Sequence, residues 1–386
     1  MKRNIVYIGL SVISALIISS CKNDLDVLAP GEESVSVYGV LNPNEPVQKI
    51  RINKVYISDG DALVSGQDNA TINYGPGELQ VTLQRFATGG TAPLLTTVGN
   101  NVKKEIVLTE TVVTTADGNF NTGQRIWQTS DKLYNNGEYK LTIKNIGNGK
   151  EFTSQTIMVD SVKSYGSMPF IYTTTSPAPA HYPVHCGSGN GGYIWGTMPG
   201  AHTQQIAYID YHVLTGNPSI KFKSVANAKL YKVIMRFHYI DSLTDNVTGI
   251  RNYVDMNFAS QTSTTFTGGE ELKVTFSTPD FYSNLAAQIP GKTVGTIKKR
   301  IAHYMEYIIY ACSDNMNTFL LVNQPSTTIA QDKPNYTNIN GGIGIFASLS
   351  KSSIKKELWS EFIDEISDNP STNSLGFAKS YTIICP

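Results

Sequence analysis

The chain has 386 residues, with 31 Lys and Arg against 31 Asp and Glu, and only 16% of its positions are charged. This balance excludes a basic nucleic-acid-binding stripe and a long charged disordered tail. Hydrophobic residues make up 40% of the chain, so it can bury a sizeable core, and its length favours two domains over one.

Residues 1–20 predict a lipoprotein signal peptide. Two basic residues precede an uncharged, mostly apolar run that ends in small residues before Cys21, and this run is shorter than the roughly 20 apolar residues of a membrane-spanning helix. The sequence Ile-Ser-Ser-Cys at 18–21 resembles the lipobox of bacterial lipoproteins, in which the cysteine is lipidated and becomes the first residue. We therefore expect a lipid on Cys21. The alternative is an ordinary signal peptide cut near Ser20, with an incidental thiol at Cys21.

Residues 21–33 form a polar tether, in which Asp24 and Asp26 soon follow the cysteine. Acidic residues at this place resemble the export signal of Bacteroidetes lipoproteins, which implies the outer face of the outer membrane; the periplasmic face is the alternative. Removing residues 1–20 deletes two bases and no acid, so the mature chain would carry 29 bases and 31 acids. A formal charge of −2 does not favour nucleic acid or another anionic partner.

Residues 34–162 predict a β-sandwich of short strands separated by turn residues. The segment Gly-Glu-Tyr-Lys-Leu at 137–141 is similar to the penultimate strand of immunoglobulin-like or transthyretin-like modules, which implies a sandwich of that kind. The turns are expected at Asn42-Pro43-Asn44 and Asn136-Gly137, because these residues favour turn conformations. The expected strands are 35–41, 47–57, 79–83, 111–115, 139–143 and 152–159.

Residues 163–200 are rich in proline and glycine and predict an irregular linker between two domains. Tyr182, Tyr193 and Trp195 lie among its glycines. Flat aromatic rings can stack on sugars or anchor a protein partner, so these three residues are candidates for ligand binding. The alternative is that they pack within the core or the loop.

Residues 201–386 predict a second, β-rich α+β domain. One helix is expected over 280–288 after Thr278-Pro279, and a second, capped by Ser313 or Asp314, is expected to end at Val322. A further helix is expected where Ile354, Leu358, Phe362 and Ile366 share i, i+4 spacing. The expected strands are 219–225, 231–239, 269–278, 301–311 and 342–346.

Several of these segments together resemble a known group of proteins. Residues 21–30, 37–42, 231–239 and above all 336–346 are similar to Bacteroidetes lipoproteins of an uncharacterised family often linked to TonB-dependent outer-membrane receptors. The resemblance implies a two-domain protein anchored to the outer membrane, with a β-barrel protein as its partner. It supplies no catalytic residues.

The sequence does not indicate a catalytic site, a cofactor or a metal site. The clearest acid–base candidates are Glu270 with Glu271 and Glu361 with Glu365. Glu270 and Glu271 are adjacent strand residues, however, and such residues point to opposite faces. Glu361 and Glu365 form an i, i+4 pair, which normally lies on the solvent-exposed side of a helix. We therefore expect a non-enzymatic accessory or interaction subunit of an outer-membrane β-barrel machine, such as a TonB-dependent transporter. The alternative is a surface lipoprotein that binds a glycan or a peptide.

Two covalent modifications are also predicted. Cys312 ends an expected strand and Cys385 ends the terminal run 381–384, so the two can form a disulfide if both belong to one sheet of this exported chain; separate buried thiols are the alternative. The triplets Asp-Ser-Val at 160–162 and Asp-Ser-Leu at 241–243 resemble the O-glycosylation sequon of Bacteroidetes envelope proteins. Ser161 and Ser242 are thus candidate glycosylation sites, Ser161 being the more accessible, with a chance match as the alternative.

Overall fold

The computed structural model shows a mainly β protein, as the sequence predicts. Among the described residues, no helix is both long enough and apolar enough to cross a membrane. The residues described are 33–56, 64, 68–98, 101–114, 123–162, 219–243, 249–292, 297–324, 336–358 and 360–380.

The N-terminal half, residues 33–162, contains the strands of the expected sandwich. A single turn of helix, α1 (Asn69–Ile72), lies between its second and third strands. The strands are β1 (Val35–Leu41), β2 (Gln48–Lys54), β3 (Leu79–Phe86), β4 (Pro93–Leu94), β5 (Thr96–Val98), β6 (Asn101–Lys103), β7 (Ile106–Val107), β8 (Thr109–Thr114), β9 (Gly123–Thr129), β10 (Glu138–Asn145) and β11 (Glu151–Ile157).

The C-terminal half, residues 219–380, combines longer strands with short helices. The helices are α2 (Thr278–Gln288), α3 (Asp314–Val322) and α4 (Ser360–Asp368). The strands are β12 (Ser219–Lys223), β13 (Leu230–Ser242), β14 (Gly249–Asn257), β15 (Gln261–Thr262), β16 (Glu271–Thr275), β17 (Lys299–Cys312) and β18 (Gly342–Glu357).

The period-2 alternation of β1 shows why these segments are strands. Val35, Val37, Gly39 and Leu41 are buried, whereas the alternate residues Ser36, Tyr38 and Val40 face outward. A turn follows, in which the Glu45 amide donates to the Asn42 carbonyl over 3.0 Å, and the chain returns as β2.

One large sheet runs through both halves, in the order β14-β13-β17-β18-β1-β2-β9-β8, with β15 paired to β13. Its centre is β18, which changes partner along its length. Residues 342–348 pair in parallel with β1, and residues 349–357 pair antiparallel with β17. The N-terminal half therefore takes a strand from the C-terminal half.

The described residues form two buried hydrophobic clusters, one in each half. The first lies between the large sheet and a second sheet of order β11-β10-β3-β4, to which β7 adds, and it includes Trp127 and Tyr139. Ile339 and Phe346 join this cluster from the C-terminal half. The second cluster packs β13 and β17 against α2 and α4, and Val159 joins it from the N-terminal half.

The expected helix at 354–366 is partly wrong. Ile354 lies in β18, and α4 begins only at Ser360, so Phe362 and Ile366 are helical but Ile354 is not. α2 begins two residues before the expected Asp280, and its N-cap is Ser277 rather than Thr278. The Ser277 hydroxyl accepts from the Asp280 amide over 3.1 Å. Ser313 is the N-cap of α3, as expected.

A buried ion pair links β13 to β17. Arg300 is fully buried and donates to both carboxylate oxygens of Asp241, at 2.7 and 3.2 Å. Its remaining donors bond the carbonyls of Pro290 and Leu375 at 2.8 and 2.9 Å. Four chain segments thus meet at one guanidinium group, which fixes the end of the C-terminal half.

Candidate functional site

A groove of ≈ 510 Å³ lies where the two halves meet; we call it the junction groove. Gln155, Thr156 and Ile157 of β11 form its N-terminal wall, and the turn at Asn227 and the loop at Phe266 belong to its C-terminal wall. The first turn of α3 and Asn338 complete it. This volume falls in the range of roughly 300–1,000 Å³ that ligand sites occupy.

The first turn of α3 presents an oriented amide to the junction groove. The Tyr336 hydroxyl donates to Asn315 Oδ1 over 3.1 Å, which leaves the Asn315 NH₂ group available. Burial, and then the charge of Asp314, raise the pKa of Tyr336, so its phenol stays a donor. The Asp314 side chain is exposed.

The wall at β11 is held in place by the segment that leads into β18. Asn338 donates to the Phe346 carbonyl over 2.6 Å and accepts from the Phe346 amide over 2.9 Å. The Ser154 hydroxyl donates to the Asn338 carbonyl over 2.6 Å. The Asn338 side chain is therefore already hydrogen-bonded to the backbone. The exposed Gln155 side chain, in contrast, makes no hydrogen bond within the described part of the chain.

The opposite wall contains Asn227, the non-glycine residue with positive φ (64°) in the described chain. Asparagine tolerates this left-handed conformation better than most residues. Its amide nitrogen donates to the Met158 carbonyl over 3.0 Å, and its backbone N–H donates to the Phe266 carbonyl over 2.9 Å. These bonds place the Phe266 ring, which is 48% exposed, beside the groove.

The charged residues that line the junction groove are both acidic. Glu138 contributes a carboxylate from the start of β10, and Asp314 contributes one from α3. Lys and Arg are missing from the described lining. The nearby cation Lys229 lies outside it, 5.4 Å from the Phe266 ring centroid, and donates to the Ser263 carbonyl over 2.7 Å, so the lining itself favours a neutral ligand over an anion.

Two other surfaces satisfy their own polar groups. A cavity of ≈ 410 Å³ beside α1 is lined by Arg125, which forms an ion pair with Glu110. On the open face of the large sheet, Arg236 bonds Asp255 at 2.6 and 2.8 Å, and His238 lies 3.0 Å from a Glu306 oxygen.

Among the described residues, the Asn315 NH₂ group, the Gln155 amide and the Asp314 carboxylate of the junction groove have no hydrogen-bond partner, so this groove is the better candidate for a ligand. No cluster of three or more His, Cys, Asp or Glu suited to a metal ion occurs in the described ranges.

Five of the residues singled out from the sequence lie outside the described residues: Cys21, Tyr182, Tyr193, Trp195 and Cys385.

The two candidate glycosylation sites have different surroundings. Ser161 is partly exposed, and the Ser350 hydroxyl lies 3.4 Å from its own. Ser242 is fully buried, so a sugar could reach it only before the chain folds. Both remain predictions.

Cys312 is buried and has no disulfide partner among the described residues, and burial raises the pKa of its thiol to about 11. Near the C-terminus, Phe377 forms a β-bridge with Arg300, at the opposite end of β17 from Cys312. A Cys312–Cys385 bridge would require the last residues to run back along almost the whole strand. It stays a prediction, to be tested by counting thiols.

Comparisons with protein-family models and with curated proteins find no match to this chain. The junction groove was not predicted from the sequence. Its main groups, such as Gln155, Asn227, Phe266 and Asn315, are ordinary turn and surface residues far apart along the chain, so no local pattern marks them.

Proposed function

We propose that this protein is a lipid-anchored outer-membrane lipoprotein that acts, without catalysis, as an accessory or interaction subunit of a β-barrel machine such as a TonB-dependent transporter. The main support is the lipobox-like sequence at 18–21, followed by a tether that ends at Glu33. A second support comes from the contacts of Glu33, which join the end of the tether to the folded body of the protein, which begins at residue 34.

Glu33, the first residue described, is tied to the end of the sandwich. Its carboxylate accepts from the Tyr74 hydroxyl at 3.2 Å and from the amides of Asn145 and Asn148 at 2.8 and 2.5 Å. Its carbonyl accepts from Lys150 Nζ at 2.6 Å. Burial opposes ionisation, but these hydrogen bonds and the lysine charge lower the pKa of Glu33. The charged carboxylate thus fixes where the tether leaves the body.

This attachment limits how far the body can stand from the membrane. The stretch from Cys21 to Glu33 spans at most about 40 Å when fully extended. Multiple acyl chains on the cysteine would make the anchoring stable, because a single chain binds a bilayer only marginally. A body held within this distance is well placed to contact a membrane-embedded partner.

The anchor is tested by the Cys21→Ala variant. We expect this change to abolish incorporation of radiolabelled palmitate and to release the protein from membranes. Cys312→Ala is the matched control, because it removes a different thiol and should leave labelling intact. Unaltered labelling of Cys21→Ala would refute the anchor.

The partner is tested by affinity purification of the lipidated protein from detergent-solubilised membranes. A β-barrel protein recovered in stoichiometric amounts supports the subunit role. Recovery of the protein alone under mild detergent counts against it.

The junction groove favours a second candidate function, the capture of a glycan or peptide at the cell surface. Its size and unpaired polar groups are those of a ligand site. Retention of a glycan or peptide by the purified protein would support this role independently of any β-barrel partner.

A further inference from the structure

We propose that the junction groove binds a neutral oligosaccharide. This inference rests on the second of the two proposed functions, ligand capture, and gives that function a site and a ligand class.

The unpaired groups of the groove match hydroxyl groups. The Asn315 NH₂ group and the Gln155 amide can donate, and the Asp314 carboxylate can accept. A sugar hydroxyl donates and accepts at once, so it can bridge an amide and a carboxylate. Hydrogen bonds to a charged acceptor are the stronger kind, which makes Asp314 the group expected to contribute most.

Phe266 supplies the surface that a sugar ring needs in addition to hydrogen bonds. Phe266 is 48% exposed at the rim of the groove. The Lys229 ammonium group lies over its ring at 5.4 Å from the centroid, which leaves one ring face for a ligand. Ile157 on the opposite wall is 38% exposed. A flat aromatic face packs well against the apolar C–H face of a pyranose. The groove therefore combines an apolar platform with polar groups that set orientation.

Two other ligand classes fit less well. An anionic ligand would meet the carboxylates of Glu138 and Asp314 in the described lining. The nearby cation Lys229 is outside that lining and is hydrogen-bonded to the Ser263 carbonyl over 2.7 Å.

An extended peptide would need a free strand edge to pair with, and the edge of β11 is partly used. Thr153 forms a β-bridge with Asn340, and the Ser348 hydroxyl donates to the Ile157 carbonyl over 2.6 Å. A neutral oligosaccharide needs neither a cation nor a strand edge.

The test uses the full chain carrying Cys21→Ala, purified and passed over immobilised neutral hexasaccharides of glucose, mannose, xylose and N-acetylglucosamine. Acidic oligosaccharides of uronic acid serve as the anionic comparison. The affinity for a retained sugar is then measured by titration calorimetry for the parent and its variants.

Two substitutions are paired with matched controls. Phe266→Ala should weaken binding roughly tenfold or more, whereas Tyr253→Ala, which removes an aromatic ring 56% exposed on the sheet face, should leave it within about twofold. Asp314→Asn should also cost roughly tenfold or more. Asp280→Asn removes the equivalent acid from the first turn of α2 and should change affinity little.

Each outcome supports or overturns the inference. Neutral sugar binding that both groove variants weaken supports the inference. Gln155→Ala should weaken binding as well, and because this side chain is exposed, its removal should not disturb folding. A loss of affinity in Gln155→Ala therefore cannot be attributed to misfolding. If a sugar binds the parent and the groove variants equally well, the groove is not the binding site, and the inference fails while ligand capture still stands. A parent chain that retains no neutral sugar, or only the acidic ones, overturns the inference, and recovery of a β-barrel partner would still support the subunit role.

Discussion

Breaking the buried Arg300–Asp241 pair should strongly destabilise the C-terminal half. Asp241→Asn keeps the shape of the side chain but removes its charge, which leaves a fully buried guanidinium without a counter-ion. Removing one partner of such a pair typically costs about 3–5 kcal/mol. We expect a loss of that size in the free energy of unfolding.

A second Arg–Asp pair provides the control. Arg236 and Asp255 form the same two-bond geometry between β13 and β14, but their side chains are 25% and 26% exposed, against 0% and 11% for Arg300 and Asp241. Solvent screens an exposed pair, so Asp255→Asn should cost less than about 1 kcal/mol.

Urea denaturation followed by tryptophan fluorescence and far-ultraviolet circular dichroism measures both variants. The midpoint should fall for Asp241→Asn with little change in the slope, since the surface exposed on unfolding is nearly the same. Equal losses for the two variants would show that burial does not set the strength of these pairs, and the reasoning would fail.

Three further predictions concern other parts of the molecule. Gly344→Ala should cost about 1–3 kcal/mol, because Gly344 has φ +103° and a Cβ there would overlap β1, whereas Gly291→Ala enters open space and should be neutral in thermal denaturation. If Cys312 pairs with Cys385, denatured unreduced protein should show one reactive thiol besides the lipidated cysteine; three would refute the bridge. Burial lowers the pKa of His238 despite its hydrogen bond to a carboxylate, so unfolding takes up protons and stability should fall below about pH 6.5. His238→Gln should flatten that part of the urea-midpoint profile, and an unchanged slope would count against it.

Local chemistry predicted many of the elements correctly. The alternation of Val35, Val37 and Leu41 is sufficient to identify β1, because one face of that strand is buried and the other is not. Ser313 likewise marks the start of α3, because serine is a favoured N-cap residue and an acidic residue, Asp314, follows it in the first turn.

β9 and β14 are the longest strands that the sequence pattern misses, and they are missed for the opposite reason. β14 is an edge strand whose residues are mostly exposed, and Trp127 is the apolar residue that β9 buries, so neither strand has a strong alternating pattern. The short strands β4, β5, β6, β7 and β15 are missed as well, because two or three residues are too few to show an alternation. Apolar periodicity reports burial, and a strand that buries little gives a weak signal.

The error at Ile354 has a different cause. Ile354, Leu358, Phe362 and Ile366 are spaced by four residues, which fits one face of a helix but also one face of a strand, because four is a multiple of two. The chain resolves this ambiguity by pairing Ile354 with Tyr307 of β17 and starting α4 at Ser360. Only a tertiary contact could distinguish the two.

By itself, then, the sequence determined the mainly β class, most strand and helix positions and the lipobox-like segment, since each depends on residues close together in the chain. The tertiary structure decided that β18 pairs with β1 in one half and with β17 in the other. It also brought Glu138, Asn227 and Asp314 to one groove. These features depend on contacts between distant residues, and the free energy of such contacts is set by the whole packed core, which no local pattern encodes.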